Sequence, residues 1–438
     1  MNVVMFTNTF TPHIGGVAHS VAWLAEGLRS AGHRVLVVAP EYADLHHAET
    51  DVVRIPAIKH FRGSDFSLPL PLTRTLDERL DTFRPDIVHS HHPFLLGDVA
   101  LRTAASRCIP IVYTYHTRYE LYDHYVSEGV PILERLVLSI ALGYCDLCHA
   151  VIAPSRSMAD FLIEHGVKTP VTVIPTGIEP ALFAAGDGNK VRVALGLPPA
   201  AFVVGHVGRL APEKNLPYLA EAVGHFLMAN PRAHFVVVGE GPSRPGMEEA
   251  LAKQGLSERV HTLGALESRK LADIYAAMDV FAFSSLSETQ GLVLAEAMAA
   301  GVPVVALDAF GAREIVRDGQ NGYLLSAAAS TECFARALAK LAELQPGHRC
   351  QLSTAARRTA GSFSRGEMID ATLKLYFELL ESAPKRLTVV DSNWSLAKRR
   401  LAQEWKIVGN FAHALGDALF PPDRPVAVEG ERLNPGRR

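Results

Sequence analysis

The sequence lacks an excess of charge of either sign: its formal net charge is −3, which offers a nucleic acid no counter-charge and argues against such a partner. Cysteine is scarce and odd in number, with Cys108, Cys145, Cys148, Cys333 and Cys350 scattered through apolar contexts. A reducing compartment is therefore expected, and a disulfide framework is not. Cys145 and Cys148 have CxxC spacing, but no second pair accompanies them, and their helical context favours buried packing over metal or redox use. No apolar run approaches the roughly 18 residues of a membrane-spanning helix. The first residues run directly into Val3-Val4-Met5-Phe6 without a basic segment and a long apolar core, so no signal peptide is expected. Two motifs are also missing. Without GxGxxG there is no dinucleotide fingerprint, and without Asp-x-Asp there is no obvious carboxylate pair for a magnesium-bound diphosphate.

What is present is a chain of 438 residues, 48% hydrophobic and 20% charged, long enough for two domains with full cores. Apolar strand-like runs at 2–6, 34–38, 86–90, 109–115, 150–153 and 171–174 alternate with helical patterns near 17–30, 72–83, 94–107, 131–147 and 155–165. Such alternation predicts a parallel sheet covered on both faces, with ligands at the carboxyl ends of its strands. Proline and glycine interrupt the pattern around Val173-Ile-Pro-Thr-Gly-Ile-Glu-Pro180, where a domain boundary is expected. A second alternating series begins at Phe202, with strands expected at 202–208, 233–239, 260–263, 280–283 and 304–306. The predicted fold is α/β, two Rossmann-like domains, 1–176 and 177–363, facing across a cleft. A crossover helix over 364–382 and a basic amphipathic tail over 383–438 follow.

Chemistry concentrates at the expected strand ends. Ser287 to Gly301 reads as a loop and helix start after the apolar strand 280–283, a place where unpaired amides and a positive dipole end suit a phosphate. Glu288 precedes this helix and Glu296 lies within it, too far apart for a stacked pair. They suit different ends of one ligand, since a carboxylate accepts from two hydroxyls at once. A capping acid and a solvated helix glutamate is the plainer account of either alone. Arg209 and Lys214 lie on the loop after strand 202–208, where two cations can neutralise a diphosphate without a metal. Gly15 and Gly16 occupy the first strand-to-helix turn, where missing Cβ atoms let a ligand approach the backbone. His89, His91 and His92 follow one strand and His116 another. A metal cluster is the weaker interpretation of the first three, whereas His116 begins an aromatic, charged loop where chemistry is expected.

Taken together, these motifs resemble family 4 of the retaining glycosyltransferases, with GT-B architecture, over residues 2–382. The features that carry the likeness are Gly15-Gly16-Val17, His116, Gly208-Arg209, Glu213-Lys214-Asn215, Gly239-Glu-Gly-Pro242 and the Glu-x7-Glu pair Glu288/Glu296. The resemblance implies hexose transfer from a nucleotide diphosphate sugar with retention and no metal or other cofactor. It assigns Glu288 to the sugar hydroxyls, Glu296 to the ribose, Arg209 and Lys214 to the diphosphate, and His116 to the sugar side. Gly16 and Thr289 join them on the donor side, and the backbone of Gln290, Gly291 and Leu292 is implied to hold phosphate oxygens. Many members have Phe where this chain has Gln290. Glu-Thr-Gln-Gly and the segment 116–125 are similar to the subgroup that glucosylates diacylglycerol. On that basis the implied donor is UDP-glucose and the acceptor a lipid such as 1,2-diacylglycerol, with Gly15, Tyr119, Glu120 and His124 on the acceptor side. GDP-mannose-dependent transfer to a phosphoinositide or other lipid stays open, as does a non-catalytic nucleotide-sugar binding protein; the oligomeric state is left unassigned.

A lipid acceptor implies a cytoplasmic enzyme in peripheral contact with an anionic membrane surface. Three stretches offer themselves. Lys59-His-Phe-Arg62 with Phe66 and Leu68 is basic and aromatic; Leu133, Leu136, Val137 and Ile140 share one helical face; and the tail has ten Lys or Arg against six acids. Within the tail, Trp394 to Trp405 reads as a basic helix followed by apolar residues 407–420, able to lie on anionic lipid or to pack on the domains.

Overall fold

The computed structural model describes residues 1–13, 15–42, 49, 51–58, 68–69, 74–119, 131–266, 268–382 and 393–419. Two parallel sheets organise them. The first comprises β1 (Asn2–Phe6), β2 (Arg34–Pro40), β3 (Val52–Ile55), β4 (Ile87–Ser90), β5 (Ile111–Thr114), β6 (Ala150–Ala153) and β7 (Val171–Val173), in the order β3-β2-β1-β4-β5-β6-β7. The second comprises β8 (Phe202–Val207), β9 (Ala233–Val238), β10 (Val260–Thr262), β11 (Val280–Phe283), β12 (Val304–Leu307) and β13 (Gly322–Leu325), in the order β10-β9-β8-β11-β12-β13. The expected two-domain α/β architecture is present. β3 and β13 were not predicted: both lie at a sheet edge, and their runs, Val-Val-Arg-Ile and Gly-Tyr-Leu-Leu, are interrupted by an arginine or opened by a glycine, so neither reads as a clean apolar strand.

The central strands read as unbroken apolar runs because helices cover both faces. In β1 the period of two sends Val4 and Phe6 to one core and Val3 and Met5 to the other. The helices that matter for the site are α1 (Gly16–Ser30), α2 (Leu96–Arg107), α3 (Pro131–Asp146), α4 (Leu216–Ala229), α5 (Ser268–Ala277), α6 (Leu292–Ala299), α7 (Arg365–Ser382) and α8 (Asn393–Leu419). Cys145 and Cys148 are buried, and their thiols reach the carbonyls of Ala141 and Tyr144 at 3.4 Å each. This is packing at the end of α3, with Cys145 in its last turn and Cys148 just beyond it.

The chain passes between the domains twice, and the two passages are bonded side by side. The Ile178 N–H donates to the Phe363 carbonyl (2.7 Å) and the Arg365 N–H to the Ile178 carbonyl (2.8 Å). A Cβ on Gly177 would lie 2.4 Å from the Arg365 Cα, so only glycine permits this approach. Beyond the second passage α7 returns to the first domain, where Met368, Leu375 and Tyr376 join the core beside α1. The Tyr376 hydroxyl sits 2.6 Å from His89 Nδ1, and His89 Nε2 is 2.7 Å from Thr114 Oγ1.

Residues 393–419 of the tail form one continuous helix, α8, which packs on α2 and α3. Ile407, Ala414 and Ala418 are buried beneath it. Ile140 is buried and Val137 packs against the core, so the apolar face of α3 is turned inward as a core face. The basic segment from Lys59 to Phe66, and the side chain of Leu68, lie outside the described residues. No helix among the described residues is long and apolar enough to cross a membrane.

Replacing Tyr376 by Phe removes the hydroxyl from a fully buried histidine while leaving the ring in place. Stability is expected to fall by about 1–3 kcal/mol, the cost of an orphaned buried polar group. A lowered urea midpoint checks this; an unchanged midpoint would mean that His89 finds another partner.

Candidate active site

Strand order reverses between β1 and β4 in the first sheet and between β8 and β11 in the second, and the loops at such points form a crevice at the carboxyl ends. The residues singled out by sequence follow β1, β4, β5, β8 and β11, all at these ends. Gly15 caps α1 with extended backbone, and no described atom lies within 4 Å of where a Cβ on Gly16 would sit.

After β8 the chain turns through Gly208 and a short 3-10 helix at Pro212–Lys214. Asn215, in the left-handed conformation, then starts α4. Arg209 pairs with Glu213 at 2.5 Å, and Lys214 Nζ bonds Glu288 Oε1. Both cations thus have carboxylate partners, and the loop is less positive than its sequence alone suggests. Ser285 Oγ donates to the same Glu288 oxygen at 3.3 Å. Burial pushes the Glu288 carboxyl up, but Lys214, the serine and Arg209 outweigh it and hold the group below the usual range. Glu288 is therefore ionised at neutral pH. Beside it, His206 is buried and neutral, pushed down to about 4 by burial, with Nδ1 3.1 Å from the Ala282 carbonyl.

Gly291, with φ 73°, caps the eight-residue α6. The first turn of any helix leaves its leading amides without intrahelical partners, here those that follow Glu288. The loop fits because residue 311 is glycine: a Cβ there would come within 2.7 Å of Glu288 Cβ and 2.6 Å of the Gln290 carbonyl carbon. Glu296 is 8% exposed, with Oε2 2.8 Å from the Tyr275 hydroxyl on α5. Burial pushes its carboxyl up to about 7 against the opposing effects of Tyr275 and Arg365.

The loop is also bonded to the first domain. Ser155 Oγ donates to the Thr289 carbonyl (2.7 Å), and Thr289 Oγ1 donates to the His116 carbonyl (3.1 Å). The Gln290 side chain, 3% exposed, accepts from the Thr176 N–H (2.7 Å) and donates to the Thr176 carbonyl (2.9 Å). Its amide is spent on the interdomain strand, so any contact of Gln290 with a ligand is left to its backbone. Farther along, Ser157 donates through N–H and Oγ to Glu314, both at 2.7 Å.

His116 Nε2 lies 2.9 Å from His91 Nδ1. Burial pushes His116 down to about 4, and His89 and His92 to about 3. All are neutral at physiological pH. The histidines do not gather as ligands: His89 is held by Tyr376 and Thr114, and His92 Nδ1 accepts from the Asn8 N–H at 3.0 Å. No metal-holding group of His, Cys, Asp or Glu occurs among the described residues. Tyr119, considered for the acceptor side, is 7% exposed and packed in the core against Tyr115 and Phe94. Glu120 and His124 lie outside the described residues.

Sequence reasoning missed Ser155, Tyr275 and Thr176 as partners of the site, and weighed His91 only as a metal ligand. Ser155 follows β6 and caps the next helix, so the strand-end rule that selected His116 would have found it. Tyr275 sits on α5 with no local signal, since only folding brings it to Glu296.

Residues 14–182 match the family described as Glycosyltransferase Family 4, and residues 188–359 that described as Glycosyl transferases group 1. Alpha-monoglucosyldiacylglycerol synthase of Acholeplasma laidlawii is 30% identical over 339 residues, covering 74% of this chain and 84% of the relative. GDP-mannose-dependent alpha-mannosyltransferase of Mycobacterium tuberculosis is 31% identical over 331 residues, covering 74% and 84%. Among solved structures, HepE of Anabaena in complex with UDP superposes with a TM-score of 0.68 at 22% identity, covering 86% of this chain and all of that one.

The raised Glu296 carboxyl has a consequence for stability. Between its ordinary value of 4.5 and about 7, the unfolded chain has released a proton that the native state keeps, so stability falls as pH rises through that window. Glu296→Gln removes this term and is expected to be the more stable protein at about pH 8, by on the order of 3 kcal/mol, with little difference near pH 4. Urea unfolding of both proteins across this range measures it; parallel pH profiles would refute the assignment.

Proposed function

The chain belongs to glycosyltransferase family 4, and on that premise we propose that it transfers a hexose, with retention, from a nucleotide diphosphate sugar to a lipid acceptor. The proposed donor is UDP-glucose and the proposed acceptor 1,2-diacylglycerol. The observation that carries it is the pairing of Lys214 with an ionised Glu288 immediately before the start of α6. An ionised carboxylate accepts from sugar hydroxyls, the cation beside it answers diphosphate charge, and the helix start presents amides to phosphate oxygens. Two relatives of equal similarity bear names for glucosyl transfer to diacylglycerol and for GDP-mannose-dependent transfer, so mannose is the second donor to try.

In this mechanism the diphosphate lies on the amides of Gln290, Gly291 and Leu292 with Arg209 and Lys214 beside it. Glu288 takes the hexose hydroxyls and Glu296 the ribose. Neutral His116 donates a hydrogen bond on the sugar side. The bond from the anomeric carbon to the diphosphate oxygen breaks, and the acceptor oxygen bonds that carbon on the same face. The departing phosphate oxygen takes the acceptor's proton. Positioning and charge stabilisation account for the rate in this scheme, with no protein base. Neutralisation by Arg209 and Lys214 stands in for a metal, in keeping with the missing Asp-x-Asp. A non-catalytic binding protein is disfavoured because a histidine on the sugar side serves transfer more than retention of a ligand.

Labelled nucleotide sugars supplied with detergent-dispersed diacylglycerol test this. UDP-glucose is expected to give labelled lipid; absence of labelled lipid with every donor would overturn the acceptor, and stronger labelling from GDP-mannose would overturn the donor. Glu288→Ala is expected to lower kcat by about 100- to 1,000-fold, as does loss of a single preorganised transition-state contact elsewhere. Lys214→Met is expected to raise the KM for the donor as well, because it removes a cation from the diphosphate and lets burial raise the Glu288 carboxyl. Intact lipid glycosylation in Glu288→Ala would end the role given to that residue.

A further inference from the structure

The helix α8 has two faces with opposite fates. Its inner face is committed to the first domain: Glu404 holds Arg102 at 2.6 and 3.0 Å, Asn410 Nδ2 donates to the Ile140 carbonyl at 3.1 Å, and Asp417 accepts from Ser139 Oγ at 2.8 Å. The contact with α3 is close, since a Cβ on Gly143 would lie 1.8 Å from Asn410 Oδ1. The outer face carries Leu401, Trp405, Val408, Phe411, Leu415 and Leu419, all exposed, with Trp405 at 70% and Leu401 at 60%. Their spacing of three or four residues over five turns makes one continuous stripe, about 27 Å long. Soluble surfaces rarely leave so many large apolar side chains in line.

Charge distinguishes the occupant. Among the described charged side chains of the helix, Glu404 and Asp417 are partly exposed but paired, with Arg102 and with Ser139 and His413, while Arg400 and Lys406 are exposed and fall at the two margins of the outward face by helical spacing. A second copy on the same stripe would bring the same exposed cations, its acids being already engaged with Arg102, Ser139 and His413. An anionic bilayer answers them, and its acyl region takes the leucines and the tryptophan.

Direction agrees. Arg399 lies against Cys108 at the end of α2, and Glu404 against Arg102 in its middle, so α8 runs antiparallel to α2. Its last turns therefore approach the edge where β4 ends and α2 begins, the edge that carries His91 and His92.

We propose that the outer face of α8 is a monotopic membrane-docking surface that lies in the headgroup region of an anionic bilayer and brings the carboxyl edge of the first domain to it. This deepens the lipid-acceptor reading, and its test is independent of the reaction. The full chain is sedimented with vesicles of phosphatidylcholine containing about 30 mol% phosphatidylglycerol and no diacylglycerol. The wild type is expected to bind, and Trp405→Glu with Leu415→Glu to bind about tenfold or more weakly. Both substituted side chains are exposed, so an unchanged melting temperature is expected. A second variant, Arg400→Glu with Lys406→Glu, keeps the stripe and is expected to lose the preference for anionic over neutral vesicles.

Failure of the wild type to bind, or equal binding by the Trp405/Leu415 variant, overturns the proposal. A dimer that the same variant converts to monomer would give the stripe to a second copy. Binding that appears only after deletion of residues 420–438 would give it to that tail. Either result also overturns it. Vesicle binding without lipid glycosylation in the donor panel would leave docking standing and remove the lipid acceptor instead.

Discussion

The loop from Leu286 to Gly291 is built by the second sheet and bonded to the first, and the site depends on that double attachment. Its own domain supplies Lys214 to Glu288 and the space at Gly311. The other domain holds Thr289 through Ser155 and His116, and Gln290 through both backbone groups of Thr176. A buried side-chain amide with two backbone partners satisfies two groups that would otherwise be costly to bury. The carboxylate of Glu288 is positioned by one domain while the residues on either side of it report the place of the other. Opening the domains would break these bonds, so the geometry around Glu288 belongs to this arrangement of the two sheets.

Electrostatics separates the two glutamates that the sequence presents as a pair. Glu296 is buried and Glu288 half-buried, and desolvation acts to raise both. Glu288 has a lysine in contact and stays ionised, whereas Glu296 has a tyrosine hydroxyl and a more distant arginine and rises to about 7. The histidines are uniform by contrast. Burial keeps them neutral, and hydroxyl, backbone and imidazole partners hold His89, His92 and the His91–His116 pair in place.

Much of this was legible along the chain. Alternating apolar runs and helical patterns specify two parallel sheets because central strands covered on both faces must be apolar throughout. The strand-end rule selected His116, Arg209, Lys214 and Glu288 for the same reason: the carboxyl edge is where backbone leaves the core. Tyr119 came only from the resemblance, and the structure places its ring in the core against Tyr115 and Phe94. Edge strands β3 and β13 were missed because an arginine interrupts one run and a glycine opens the other, so neither reads as a clean apolar strand.

By itself the sequence determined the two sheets and the polar residues at the strand ends, since periodicity and turn chemistry are local properties. Tertiary structure alone decided which partner each group received. It gave Lys214 to Glu288, Tyr275 to Glu296 and Thr176 to Gln290 across separations of 74, 21 and 114 residues. It also decided that one face of the terminal helix would be buried while the other stayed apolar and exposed. A helical pattern states that a face is apolar; only packing, which depends on residues far away in the chain, states what it meets.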